Sequence, residues 1–307
     1  MITLQLLQQI IVFFLMMACG FAVVKRGLID AKSSRTLSVI CIYIIMPCVM
    51  INAFQIEYSR SIRNGFLLAI AAAVLIHIFL LVFTQIIGKP LKLSVVEKES
   101  IIYSNSGNLV IPLVTVVLGE EWVIYASGFL CVQTIIVWTH GQSLMQGQRQ
   151  VNLKKIVQNI NLIAILTGLV FFLCNIHLPK ILDSMTSSLA GMIGPISMVM
   201  IGMLLAGVDW KLVFGKRRIY GIVFLKMIVV PGIITLCLKL AAPLIPMENA
   251  KTILLISLLA VIAPTAVTIT QMAQLYKRDA AYASSINVFT TLVCIVTMPL
   301  MVMLYMI

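Results

Sequence analysis

Apolar runs of spanning length recur along the 307 residues, at roughly 4–24, 36–56, 65–87, 100–118, 122–145, 156–176, 188–208, 219–240, 252–276 and 282–306. Each is close to the 20 or so residues that an α-helix needs to cross the hydrocarbon layer. The loops between them are short, so no soluble domain fits. Charged residues make up only 10% of the chain and hydrophobic ones 61%, against roughly 25% and 45–50% in soluble domains. Such a chain cannot cover a water-facing sphere. A soluble enzyme is excluded, and an all-α polytopic membrane protein with ten transmembrane helices is predicted.

The net charge of +12 could be taken for a nucleic-acid footprint. The positions of the charges argue otherwise. Of the 22 basic residues, 16 fall in the odd-numbered loops, from Lys25, Arg26, Lys32 and Arg35 in the first to Lys277 and Arg278 in the ninth. The third holds Lys89, Lys92 and Lys98, the fifth Arg149, Lys154 and Lys155, and the seventh Lys211, Lys216, Arg217 and Arg218. Cytoplasmic loops carry such an excess. The odd loops are therefore expected inside a cytoplasmic membrane and both termini outside, with no nucleic-acid partner. The first basic residues follow the first apolar core instead of preceding it, so 4–24 is taken as a mature span and not a signal peptide. The seven cysteines all lie in apolar runs and imply no disulfide framework.

Residues that shape helices recur at a nearly constant interval. Gly20 and Gly168, and Pro47 and Pro195, are each 148 apart; Pro112 and Pro264 are 152 apart, and His77 and Lys226 are 149 apart. This predicts two halves, 1–150 and 151–307, of five spans each. Five is odd, so the second half would lie inverted relative to the first, as in many secondary transporters.

The chemistry is expected where spans four and nine are interrupted. Span four contains Tyr103-Ser104-Asn105-Ser106-Gly107-Asn108 ahead of Pro112, and span nine runs Ala263-Pro264-Thr265-Ala266-Val267-Thr268-Ile269-Thr270-Gln271. Proline removes a donor and crowds the preceding turn, and polar backbone in lipid must face protein or water. Unwinding is expected there, with Gly107, Pro112 and Pro264 at the breaks. Half-helix N-termini attract anions. Asn105, Ser106, Asn108, Thr265, Thr268 and Gln271 would add uncharged hydrogen bonds to a substrate. All ten acidic residues lie in loops or at span ends, whereas a carrier of cations normally needs a carboxylate within the membrane. Lys226 is the one basic residue within a span core, as anion partner or as helix glue. His77, Asn52 and Gln133 are candidate proton-path or support residues, and His140 and Asn287 are further polar outliers. The plain alternative for each is helix–helix hydrogen bonding. No HExxH, CxxC, GxSxG or Walker pattern occurs, so no catalytic residue, cofactor or metal is expected.

The Asn105-Ser106-Gly107-Asn108-Leu109-Val110-Ile111-Pro112-Leu113 break resembles the auxin efflux carrier family, in its bacterial branch of malate and malonate permeases. Asn161 to Gly168, the Ala263-Pro264 break and the Thr297-Met298-Pro299-Leu300 close of span ten are also similar. The resemblance covers the whole chain. It implies a five-plus-five inverted repeat, with a scaffold of spans 1, 2, 6 and 7 and a transport unit of spans 3–5 and 8–10. The breaks of spans four and nine would cross at Pro112 and Pro264. It implies elevator-like motion, a homodimer, and a substrate carboxylate held at Asn105 and Asn108. The long loop of the plant carriers between spans five and six is missing, and their acidic support residue has no obvious match, which leaves His77 or Lys226 as substitutes.

The expected function is a secondary transporter of small mono- or dicarboxylates, with lipid and the organic anion as its partners. The alternatives are a sodium- or proton-coupled symporter of the bile-acid type, with unwound carbonyls and Asn105 or Gln271 ligating sodium, and, more remotely, a membrane sensor that does not transport.

Overall fold

The computed structural model describes residues 2–147, 154, 157–208 and 210–307. The expected boundary between the halves at 150/151, and the loop residues Arg149, Lys155 and Asp209, lie outside the described residues. In chain order the helices are α1 (Ile2–Lys25), α2 (Ala31–Ala53), α3 (Arg60–Gly88), α4 (Val95–Ile102), α5 (Ser106–Val117), α6 (Glu120–Gln146) and α7 (Ile160–Leu173). Then come α8 (Lys180–Ala206), α9 (Trp210–Gly215), α10 (Arg217–Leu244), α11 (Ala250–Ile262), α12 (Val267–Leu275) and α13 (Ala280–Met306). Among the described residues, α1, α2, α3, α6, α8, α10 and α13 are long and apolar enough to cross a membrane. Three shorter apolar helices, α5, α7 and α11, fall on the other expected runs.

Prolines shape several of these helices in one repeated way. A wide π turn covers 41–45 in α2, 106–110 in α5 and 225–229 in α10, and a proline follows two residues later each time, at Pro47, Pro112 and Pro231. A proline ring would strike the carbonyl four residues back and leaves that carbonyl without a donor. One extra residue in the preceding turn relieves the clash without ending the helix. Residues 106–110 are accordingly helical, although the cluster of polar residues and Gly107 led to the expectation of unwinding there.

Contacts divide the chain into two compact units: Met1–Phe66 with Gly107–Ser127 and Val157–Val208, and Leu67–Ser106 with Gly128–Ile156 and Asp209–Ile307. In the first, α1 packs along α8. Gly20 lies against the Val199 carbonyl and Gly202 against the Met17 carbonyl, too close for any Cβ. Reciprocal small residues let two backbones touch, which is how helices adhere where water cannot drive them together. In the same unit α7 packs on α2, with Gly168 beneath the Phe54 ring, itself edge-on to Phe66. In the second unit α13 packs against α10, α11 and α12. Residues 253–262 of α11 are all buried, as expected of a helix that is apolar all round.

Candidate functional site

The second unit brings both interruptions together. Helix α4 ends at Ile102, and Tyr103 is extended; α11 ends at Ile262, and Ala263 and Ala266 are extended. The two extended segments run antiparallel, bridged at Ser104 and Thr265. The Asn105 N–H donates to the Pro264 carbonyl at 2.7 Å, and the Ala266 N–H to the Tyr103 carbonyl at 3.0 Å. The sequence dictates this geometry. Pro264 disfavours helix at Ala263 and has no N–H that would need a partner, while its carbonyl, lying between α11 and α12, accepts from the partner strand.

Two neighbouring helices clamp the remaining backbone groups. On one side Gln133 of α6 reaches Ser104, accepting from its N–H at 3.4 Å and donating to its carbonyl at 2.8 Å, and also donates to Ser106 Oγ at 2.9 Å. On the other, Thr290 of α13 accepts from the Thr265 N–H at 3.2 Å, and Asn287 donates to the Thr265 carbonyl. Thr265 Oγ1 donates to the Ser100 carbonyl at 2.9 Å. An unpaired buried backbone group costs about 1–3 kcal/mol, so these side chains let a break persist inside the unit. Gln133 thus stands as a clamp in this structure. Thr290, which sequence reasoning missed, is its counterpart with Asn287. The signal available was only a polar residue within the apolar run that follows each break.

Lys226 lies on the π turn of α10 and is 0% exposed. Its Nζ donates to Ser104 Oγ at 2.6 Å, to the Ile101 carbonyl at 3.1 Å and to the Val261 carbonyl at 3.5 Å. His77 is buried against the Phe129 ring, with Nδ1 2.7 Å from the carbonyl of Ala73 one turn back. His140 Nδ1 is 3.0 Å from the Tyr103 hydroxyl.

Asn105 differs from these. It is 6% exposed and commits its backbone N–H to Pro264, but its carboxamide has no hydrogen-bond partner among the described residues. Ser106 is buried beneath Gln133, Thr268 is half-buried on the first turn of α12, and Gln271 is exposed. Gly107, Asn108 and Pro112 belong to the other unit, where Pro112 packs near Gly194. Asn52 is also there, donating to Ser187 Oγ at 2.9 Å.

Two carboxylates assigned from sequence to loops or span ends are buried in helix α4. Glu97 forms a capping box with Ser94 and is gripped by Arg218, through both Nε and Nη2, and by the Tyr282 hydroxyl at 2.8 Å. Glu99 is 0% exposed, and neither oxygen has a partner among the described residues. Among the described residues no cluster of His, Cys, Asp or Glu could hold a metal.

Helices of this length and apolarity are those of a multi-pass membrane protein. The profile of the membrane transport protein family matches residues 5–159 and 148–302, and the chain belongs to that family, the auxin efflux carrier family. No curated protein matches the sequence closely enough to add a relative.

Proposed function

We propose that the chain is a secondary transporter of small organic anions, mono- or dicarboxylates, in the cytoplasmic membrane. Its ten spans form a five-plus-five inverted repeat, with α4 and α5 as the halves of span four and α11 and α12 as the halves of span nine. Support comes from the paired clamps, one from the helix after each break, which treat Ser104 and Thr265 alike. The glycine contacts of α1 on α8 and of α7 on α2 involve Gly20 and Gly168, the pair 148 residues apart. Spans 1, 2, 6 and 7 act as scaffold, and the other spans move elevator-like between the two sides, as the family resemblance implies.

The observation that carries the reading is the carboxamide of Asn105. It is a polar group at the crossing without a hydrogen-bond partner among the described residues, and it stands one residue before a half-helix N-terminus. A carboxylate placed there would take an N–H from the carboxamide and gain from the positive end of the helix dipole. Thr268 on the first turn of α12 and Gln271 are the further ligands of this reading. One elementary charge across 100 mV is worth about 2.3 kcal/mol, so an inside-negative potential alone drives export.

The test is carboxylate flux in proteoliposomes, with malate and malonate as probes. Asn105→Ala is expected to lower flux at least tenfold, the loss of one charge-assisted hydrogen bond of about 1.5–3 kcal/mol. Unchanged flux would sink the site assignment, and absence of flux for every carboxylate tried would sink the substrate class.

A further inference from the structure

We propose that the second unit carries a binding site for a phosphoryl anion, in an open cavity where three of its helices begin. The cavity measures about 430 Å³. Lys92 of the α3–α4 loop lines it, with Lys216 and Arg218 at the start of α10 and Arg278 of the α12–α13 loop. Its acids are Glu97 and Asp279, so four cations stand over two carboxylates. Both carboxylates are already engaged. Glu97 accepts from the Ser94 N–H at 2.7 Å, from the Tyr282 hydroxyl at 2.8 Å and from Nε and Nη2 of Arg218. Asp279 caps α13 by accepting from the Tyr282 N–H at 2.9 Å, and its other oxygen lies 3.8 Å from Lys216 Nζ.

The donors are in surplus. Arg278 commits only Nε, to the Met145 carbonyl at 2.8 Å, and Lys92 commits only backbone groups. Arg218 uses Nε and Nη2, the latter also reaching the Leu91 and Lys92 carbonyls at 3.1 and 2.7 Å. Among the described residues, Lys92 Nζ, Arg218 Nη1 and both terminal nitrogens of Arg278 are left without an acceptor. The start of α10 points the same way. Acidic or hydroxyl side chains favour a helix N-terminus, where the dipole is positive. Helices α4 and α13 follow that rule, with Ser94 and Asp279 as caps. Helix α10 begins instead on Lys216, Arg217 and Arg218, and its N-cap side chain makes no capping bond. Cations crowded at a positive helix end are relieved by an anion among them. A carboxylate offers two oxygens, fewer than the free lysine and guanidinium donors can use. A phosphoryl group offers more oxygens and matches the arginine fork, whether it belongs to an anionic phospholipid headgroup or to a soluble phosphate.

The inference uses neither the crossing nor Asn105, so a failure of carboxylate transport would leave it intact. The test is thermal unfolding of purified protein in a neutral detergent. Short-chain phosphatidylglycerol is titrated against phosphatidylcholine of the same chains, and sodium phosphate against sodium chloride at equal ionic strength. A ligand of the folded state raises the unfolding temperature with its concentration. The wild type is expected to rise with phosphatidylglycerol or phosphate beyond the matched control. A rise with phosphatidylglycerol alone assigns the site to a headgroup, and a rise with phosphate opens it to soluble anions. Lys92→Gln combined with Arg278→Gln is expected to weaken the apparent affinity at least tenfold. Lys89→Gln combined with Lys277→Gln, on the same two loops but outside the cavity lining, is expected to keep it. No rise with either ligand overturns the proposal. So does a rise that the cavity variant keeps, or one that the control variant loses equally. If the cavity variant cannot be recovered, Lys92→Gln alone decides, because its side chain has no bond to lose: threefold or greater weakening upholds the site, and anything less overturns it.

Discussion

Glu97 and Glu99 stand two residues apart on α4, and their surroundings differ. Glu97 is held by Arg218, Ser94 and Tyr282, and Glu99 is buried with no hydrogen-bond partner for either oxygen among the described residues. Glu97→Gln is expected to lower the unfolding temperature at pH 7, since a carboxamide cannot make the charge-assisted pair with the guanidinium. Glu99→Gln, which removes no hydrogen bond of this kind, is expected to lower it less. Melting curves of the two variants check both, and equal losses would refute the contrast. The sequence showed neither environment. Periodicity places a charged residue near a span end, but whether a distant arginine reaches it is set by tertiary packing, 121 residues away for Arg218.

At the scale of the element, the apolar runs and their proline punctuation were largely legible. The runs mark the helices because only a closed hydrogen-bond ladder suits so apolar a stretch, and Pro264 with its polar neighbours marked a break. In span four the polar cluster misplaced the unwinding. The chain is extended only near Tyr103–Asn105, since Pro112 is accommodated by a wide turn over 106–110. Gln133, Asn287, Thr290 and Lys226 stood out at most as polar residues in apolar runs. Their partners are backbone groups of another element, and no local pattern points to those. The glycine contacts yield a sharper forecast. Gly202→Val would drive a side chain into the Met17 backbone, which cannot yield as a flexible side chain would. Overpacking typically costs 1–3 kcal/mol, and a backbone obstacle puts this variant at the upper end. Thermal unfolding measures it, with Gly221→Val, in open space on α10, as the control expected to change little. A Gly202→Val protein as stable as wild type would mean that α1 and α8 do not touch there.

For the whole molecule, the balance of basic residues carries a prediction about orientation. With 16 of 22 basic residues in the odd loops, those loops are expected in the cytoplasm. In a cysteine-free background, Lys216→Cys should react with an impermeant maleimide only after the cytoplasmic face is opened. Glu120→Cys should react in intact cells. The reverse pattern, or equal labelling from both sides, would invert or dissolve the assignment.

The crossing has a consequence in terms of descent. Two half-helix ends meet there, yet one ammonium serves both. In the two-repeat reading, the residue matching Lys226 in the other half is His77, 149 positions earlier, which spends its Nδ1 on a carbonyl of its own helix. After a duplication, one copy could keep the cation while the other drifted. Two lysines would repel each other over the same carbonyls, so among descendants of such a duplication the lysine is expected in one half or the other and not in both.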